Sequence, residues 1–209
     1  MTELEPIVRL QPAQVRQAAE ALNNAFAEDP IYTEIIPDRQ ERLDSMRGLW
    51  AALVDYSLRY GEVYTTNAVG GAACWLPPGR TEMTFWRMLR AGMKVPRAMM
   101  RFSPPSRQRL MQVLGTMDRE RSRLMRRPYW YLLVVGVDPA HQARGIGGRL
   151  IAPVLRRADE QGLPCYLETE TESNVAFYQR RGFVVMGEKD MPGCHFHIWL
   201  MLREAGRRA

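Results

Sequence analysis

The chain has 209 residues, of which 46% are hydrophobic, enough to build a core and to exclude an intrinsically disordered chain. Lys and Arg number 29 against 23 Asp and Glu, and the resulting net charge of +6 favours phosphate-bearing ligands. No compact basic block or DNA-reading motif accompanies that charge, no apolar run reaches membrane-spanning length, and Cys74, Cys165 and Cys194 lack disulfide-framework or metal-site spacing.

The opening MTELEPIVRL begins with acids and shows no apolar leader, so the expectation is a cytoplasmic protein without nucleic-acid or membrane partners. Pro6–Leu10 alternates as a first strand. From about Ala13 to Ala27, Val15, Ala18, Ala19, Leu22, Ala25 and Phe26 recur at helical spacing. Glu28–Glu34 then breaks the helix at Pro30 and reads either as a solvated helix end or as an acidic lip that attracts a cationic amine. A second helix is expected from Pro37 to about Tyr60, stopped by Gly61, followed by a hairpin of Glu62–Thr66 and Gly71–Leu76 that ends at Pro77-Pro78-Gly79.

Residues 81–127, from Thr81 to Arg127, differ in character. They are rich in Met and Arg, show helical periodicity in Phe85-Trp86-Met88-Leu89 and in Leu110-Met111-Leu114-Met117, and are interrupted by Pro96 and Pro104-Pro105. The expectation is a helical insertion within a single domain spanning 1–209, its methionines serving either as plain core or as an adaptable lid. Arg119, Arg121, Arg123, Arg126 and Arg127 read as a solvated face shared with Asp118 and Glu120.

Tyr129–Val137 is a continuous apolar strand, the pattern of a central strand covered on both faces. A helix stripe of Leu150, Ile151, Val154, Leu155 and Ala158 follows, with Pro153 expected to kink it or disturb its first turn and Gly162 to stop it. Cys165–Glu170 completes a strand, helix, strand unit. A short helix from Ser173 to Arg181 ends at Gly182, and Phe183–Val185 with Phe196–Leu202 form a closing pair.

Two stretches carry chemistry. After the strand, Asp138-Pro139 leads into Gln142-Ala143-Arg144-Gly145-Ile146-Gly147-Gly148, which opens a helix. The first amides of a helix lack internal partners and the helix dipole adds positive character there. Gly145, Gly147 and Gly148 leave room for an anion to approach, and Arg144 adds charge. The loop has neither the lysine ending of a triphosphatase loop nor the dinucleotide fingerprint. Downstream, Leu167-Glu168-Thr169 precedes Asn174-Val175-Ala176-Phe177-Tyr178, and the four-residue spacing puts Asn174 and Tyr178 on one helix face. Glu168 and Glu170 share a strand face with Tyr166.

Together, V-x-P-x-x-Q-x-x-G-x-G and L-E-T followed by N-x-x-F-Y-x-x-x-G-F resemble the GNAT acetyltransferase superfamily. Pro6–Leu10, Ala25–Ala27, Trp130–Leu132, Val135–Val137 and Leu167–Gly182 are most similar to the puromycin N-acetyltransferases within it, while 81–127 matches least. The resemblance implies an α/β (α+β) fold with a mixed, mostly antiparallel sheet splayed between two parallel strands and flanked by helices. It implies acetyl-CoA as co-substrate and no metal. The backbone at Val135 and Val137 would hold pantetheine. Gln142, Ala143, Arg144, Gly145, Ile146, Gly147 and Gly148 would hold the pyrophosphate, and Asn174 and Phe177 would line the arm. Ala143 stands where glycine is frequent. Tyr178 is expected near sulfur as general acid, with Glu168 as base ahead of Glu170. The partner would be a small-molecule amine acceptor, with the protein a monomer or homodimer. A non-catalytic acyl-CoA sensor is the rival reading, and one that needs no proton donor beside sulfur.

Overall fold

The computed structural model describes residues 5–191 and 193–206; the first four residues, part of the stretch read above for a leader, lie outside them. Seven strands form one sheet: β1 (Ile7–Arg9), β2 (Glu62–Thr66), β3 (Gly71–Leu76), β4 (Trp130–Val137), β5 (Cys165–Thr169), β6 (Val184–Asp190) and β7 (His197–Arg203), in the order β1-β2-β3-β4-β5-β7-β6. Every neighbouring pair is antiparallel except β4 with β5. This is the mixed, mostly antiparallel α/β sheet expected from the sequence. The apolar run of β4 is explained by its central place, since Leu132 faces one core cluster and Val134 the other.

One face carries α1 (Val15–Ala25), α2 (Pro30–Ile35) and α3 (Arg39–Tyr60), together with α4 (Phe85–Arg90), α5 (Lys94–Met99) and α6 (Pro104–Leu124) from the expected insertion. The other face carries α7 (Ile146–Gln161) and α8 (Glu172–Gln179). α1 lies close on the sheet because β4 offers Gly136, where a Cβ would come within 2.9 Å of both Leu22 and Phe26. Gly61 caps the end of α3, the expected helix stop, with its N–H donating to the Ser57 carbonyl. It is not left-handed (φ −148°), but a Cβ there would stand 2.0 Å from the Trp75 carbonyl oxygen, so glycine lets the chain cross β3.

Several expectations are corrected. Pro30 starts α2 at its first turn, where a missing N–H costs nothing, with Asp29 as the cap accepting from the Ile31 amide at 3.0 Å. Pro96 likewise sits in the first turn of α5 and does not interrupt it. α7 is continuous through Pro153, where the Arg149 carbonyl loses its helical donor. The buried face of α6 is Leu110, Val113 and Thr116, leaving Met111 and Leu114 exposed. Arg121 is not part of a solvated face but only 5% exposed. β6 runs to Asp190, beyond the expected Val185, because an outer edge strand tolerates its polar end. Among the described residues no helix is long and apolar enough to cross a membrane.

Candidate active site

β4 and β5 pair only at Trp130 with Cys165 and Tyr131 with Tyr166, although β4 continues to Val137 and β5 to Thr169. Each is held along its length on the far side, β4 by β3 and β5 by β7. An extra residue in β4, Leu133, interrupts the register opposite Cys74 and Trp75, and such a bulge adds twist that turns the strand aside. The result is a wedge whose facing edges, Leu132–Val137 and Leu167–Thr169, present backbone groups without strand partners.

The anion loop closes the wide end of β4. Asp138 accepts from the Ala140 amide at 2.9 Å and from Asn24 Nδ2 at 2.7 Å; the Asn24 bond holds its carboxyl below the usual range against a small desolvation cost. Gln142 Nε2 donates to the Val137 carbonyl at 3.0 Å, so this side chain braces the loop. Ala143 is left-handed (φ 62°), which explains why glycine suits that position, and Gly145 (φ 68°) caps α7. Arg149 N is the first α7 amide to bond back, to Gly145 at 3.3 Å, leaving the amides of Ile146, Gly147 and Gly148 open. Ile146 is buried, so its contribution is its backbone alone, while Arg144 is exposed.

Arg181 belongs to this end and was not anticipated. A Cβ on Gly148 would fall 2.2 Å from its Nη2. The guanidinium stacks 3.6 Å over the Phe177 ring and donates to the Phe177 carbonyl at 2.5 Å. It makes no ion pair among the described residues, and burial followed by neighbouring Arg180 lowers its pKa. Its spacing of four from Phe177 on the α8 side was the available signal.

Tyr178 is 8% exposed and packs edge-on between Phe177 and Phe183 at centroid distances of 5.0 and 5.7 Å. Its hydroxyl makes no hydrogen bond among the described residues, yet it is not sealed off as the Tyr166 hydroxyl is. Burial, then the charge of Glu170, raises its pKa. Asn174 is half-buried on the preceding turn, its amide capped by Thr171 Oγ1 at 3.3 Å.

The two carboxylates of this region differ. Glu168, with a side chain 2% exposed, lies 3.8 Å from the guanidinium of Arg121, which also bonds Asp118 and stacks 4.4 Å over Tyr131. Burial pushes Glu168 up to about 7 against the pull of Arg121. Glu168 Oε1 and the Tyr166 hydroxyl are buried without an aligned partner. Glu170, just beyond β5, has no cation beside it among the described residues; burial, then Asp29 and Glu168, pushes it up to about 8. Tyr32 adjoins it electrostatically and stands in an aromatic group with Phe26 and Trp50, each 5.7 Å away. The 28–34 stretch therefore brings an acid and an aromatic to the end of β5.

Other sequence candidates lie elsewhere. His195 Nδ1 sits 3.1 Å from Glu34 on the surface, and no cluster of His, Cys, Asp and Glu among the described residues is suited to a metal ion. Cys74 and Cys165 are buried free thiols, whereas Cys194 is only partly covered. A surface groove of about 620 Å³ lined by Arg16, Glu20, Asp44 and Arg101 includes no residue of β4, β5 or α7.

Residues 98–183 match the family model described as the Acetyltransferase (GNAT) family. A protein of Schizosaccharomyces pombe, named an uncharacterized N-acetyltransferase, is 26% identical over 84% of this chain and 73% of its own length. Among solved structures, one titled a histone acetyltransferase and related acetyltransferase from Corynebacterium glutamicum superposes with a TM-score of 0.66, at 18% identity over 99% of both chains. Arylalkylamine N-acetyltransferase 2 of Aedes aegypti superposes with a TM-score of 0.62, at 12% identity over 98% of this chain and 100% of its own. The family-model match lies within residues 98–183, the relative is similar over most of the chain, and the solved acetyltransferase structures share its fold.

Proposed function

We propose that the protein transfers an acetyl group from acetyl-CoA to a primary amine of a small molecule by direct attack. The observation that carries this reading is the wedge between β4 and β5, whose wide end has the open α7 amides following β4 and Glu170 following β5, with Tyr178 on the adjoining α8. These residues fit the co-substrate: unpaired strand edges match the amides of pantetheine, and an amide cradle with Arg144 and Arg181 beside it matches a pyrophosphate. Backbone groups of Val135 and Val137 would hold the arm, flanked by Asn174 and Phe177. The loop from Gln142 through Ala143, Gly145 and Ile146 to Gly147 and Gly148 would hold the phosphates. Acetyl-CoA supplies an activated thioester.

An amine nucleophile must first lose its proton. Glu168 is committed to Arg121, so we assign the proton to Glu170, directly or through water, and give Glu168 the task of fixing α6 to β5. Backbone N–H groups near Val137 would stabilise the oxyanion. Tyr178, protonated at neutral pH, would donate to the leaving sulfur. Glu170 and Asp29 beside Phe26, Tyr32 and Trp50 suit a cationic amine with an apolar or aryl body, consistent with the name of the mosquito neighbour. Aminonucleosides belong in the same panel because of the puromycin-type sequence likeness.

The test is thiol release from acetyl-CoA across arylalkylamines, polyamines and aminonucleosides. Turnover with at least one class is expected. Tight coenzyme binding with no turnover for any amine would instead establish a sensor.

A further inference from the structure

Residues 83–117 present an unusual surface. They contain seven Lys and Arg and no Asp or Glu. They also hold six of the nine large apolar side chains exposed among the described residues. Phe85, Trp86 and Leu89 are 58%, 67% and 46% exposed, and their spacing places them on one side of α4. The helix is firmly seated on its other side: the Tyr60 hydroxyl donates to the Arg87 carbonyl at 3.0 Å, and the Arg87 guanidinium donates to the Gly79 and Glu82 carbonyls at 2.7 and 2.9 Å. This exposure is therefore built in and is not a frayed end.

The cations around it are unspent. Lys94 is matched by Asp55 at 2.8 Å and Arg101 turns into the groove that holds Glu20 and Asp44, but Arg90, Arg97 and Arg107 have no carboxylate partner among the described residues. Arg107 instead points a guanidinium nitrogen at the sulfur of exposed Met100, 3.7 Å away.

We propose that this face docks reversibly on an anionic lipid surface. Aromatic and aliphatic side chains seated at headgroup depth and arginines on the phosphates satisfy both halves of the patch at once. A second copy of the chain would not, because a two-fold interface lays the patch on itself and opposes cation to cation. A nucleic acid would meet the arginines but leave Phe85 and Leu89 without apolar cover. Attachment is peripheral, since no described helix is built to cross a membrane.

The experiment is co-sedimentation of the full chain with large vesicles of phosphatidylcholine alone or with about one-third phosphatidylglycerol, followed by Trp emission. Partition into the anionic vesicles only is expected, falling about tenfold or more when salt is raised several-fold. A comparable fall is expected in Trp86→Ser/Leu89→Ser and in Arg90→Glu/Arg97→Glu, with acetyl transfer in solution unchanged in both. The proposal is overturned by absence of partition, or by equal partition of the wild type and both variants. Duplex DNA binding that survives Trp86→Ser/Leu89→Ser, or a dimer that this variant dissolves, would also overturn it.

Discussion

The guanidinium of Arg121, carried by α6 from the helical segment between β3 and β4, lies 3.8 Å from the carboxylate of Glu168 on β5. Both side chains are almost wholly buried, at 6% and 2% exposure. This pair crosses from the helices between β3 and β4 to the strand that forms one wall of the wedge. It also distinguishes the surroundings of Glu168 from those of Glu170, because among the described residues only the first has a cation beside it.

Removing one member of a buried pair leaves the other charged and unsolvated, at a cost of about 3–5 kcal/mol. Arg121→Met is therefore expected to destabilise the protein by about that amount well above pH 7, and by less near neutrality, where Glu168, pushed up to about 7 by burial, takes a proton instead. Arg121→Met/Glu168→Gln should recover most of the loss, as both charges are gone. Urea unfolding of the wild type, the two single variants and the double variant checks this. Equal stability in all four would show that the pair contributes nothing.

Tyr178→Phe is expected to lower kcat by about 10²–10⁴-fold, the range for loss of a positioned general acid. Because the Tyr178 hydroxyl has no hydrogen bond within the described protein, the melting temperature should scarcely change. Steady-state rates together with a thermal melt separate the two effects. A full rate across the pH range would remove Tyr178 from the mechanism.

The parts of this arrangement legible in the sequence are those written in local spacing. The β2–β3 hairpin, the glycine-opened α7 and the Asn174–Tyr178 face each depend on residues close in the chain, and each forms as read. What escaped depends on distant partners. Nothing around Arg121 distinguishes it from Arg119 or Arg123 until Glu168 and Tyr131 are placed beneath α6. The bulge at Leu133 is invisible in a uniformly apolar strand, and it becomes plain only against β3. The stacking of Arg181 on Phe177 above Gly148 requires α7 and α8 to be brought side by side.

Ala143→Gly should stabilise the loop. A left-handed alanine costs about 1–2 kcal/mol, part of which glycine returns through its greater unfolded-state freedom, leaving a net gain of about 0.5–1 kcal/mol. A higher urea midpoint with an unchanged slope is the expected reading. Acetyl-CoA affinity should hold or improve, because the amide at position 143 is retained. A loss of stability would mean that the side chain of Ala143 makes a contribution beyond its backbone angle.

Glu170 ties activity and stability to pH in opposite senses. Its folded pKa, pushed up to about 8 from an ordinary 4.5 by burial and then by Asp29 and Glu168, means that the folded protein holds more protons than the unfolded chain between those values. Stability from this group is therefore complete below about 4.5 and is lost as pH rises through about 8. A base must be deprotonated to act, so kcat/KM should climb across the upper part of that window, with an apparent pKa near 8 that belongs jointly to Glu170 and any amine titrating with it. Glu170→Gln should abolish that limb of the profile while raising the melting temperature relative to the wild type more at pH 8.5 than at pH 5. Glu168→Gln keeps Glu170 and should retain the limb. A profile unchanged in Glu170→Gln but flattened in Glu168→Gln would move the base to Glu168, despite its pairing with Arg121.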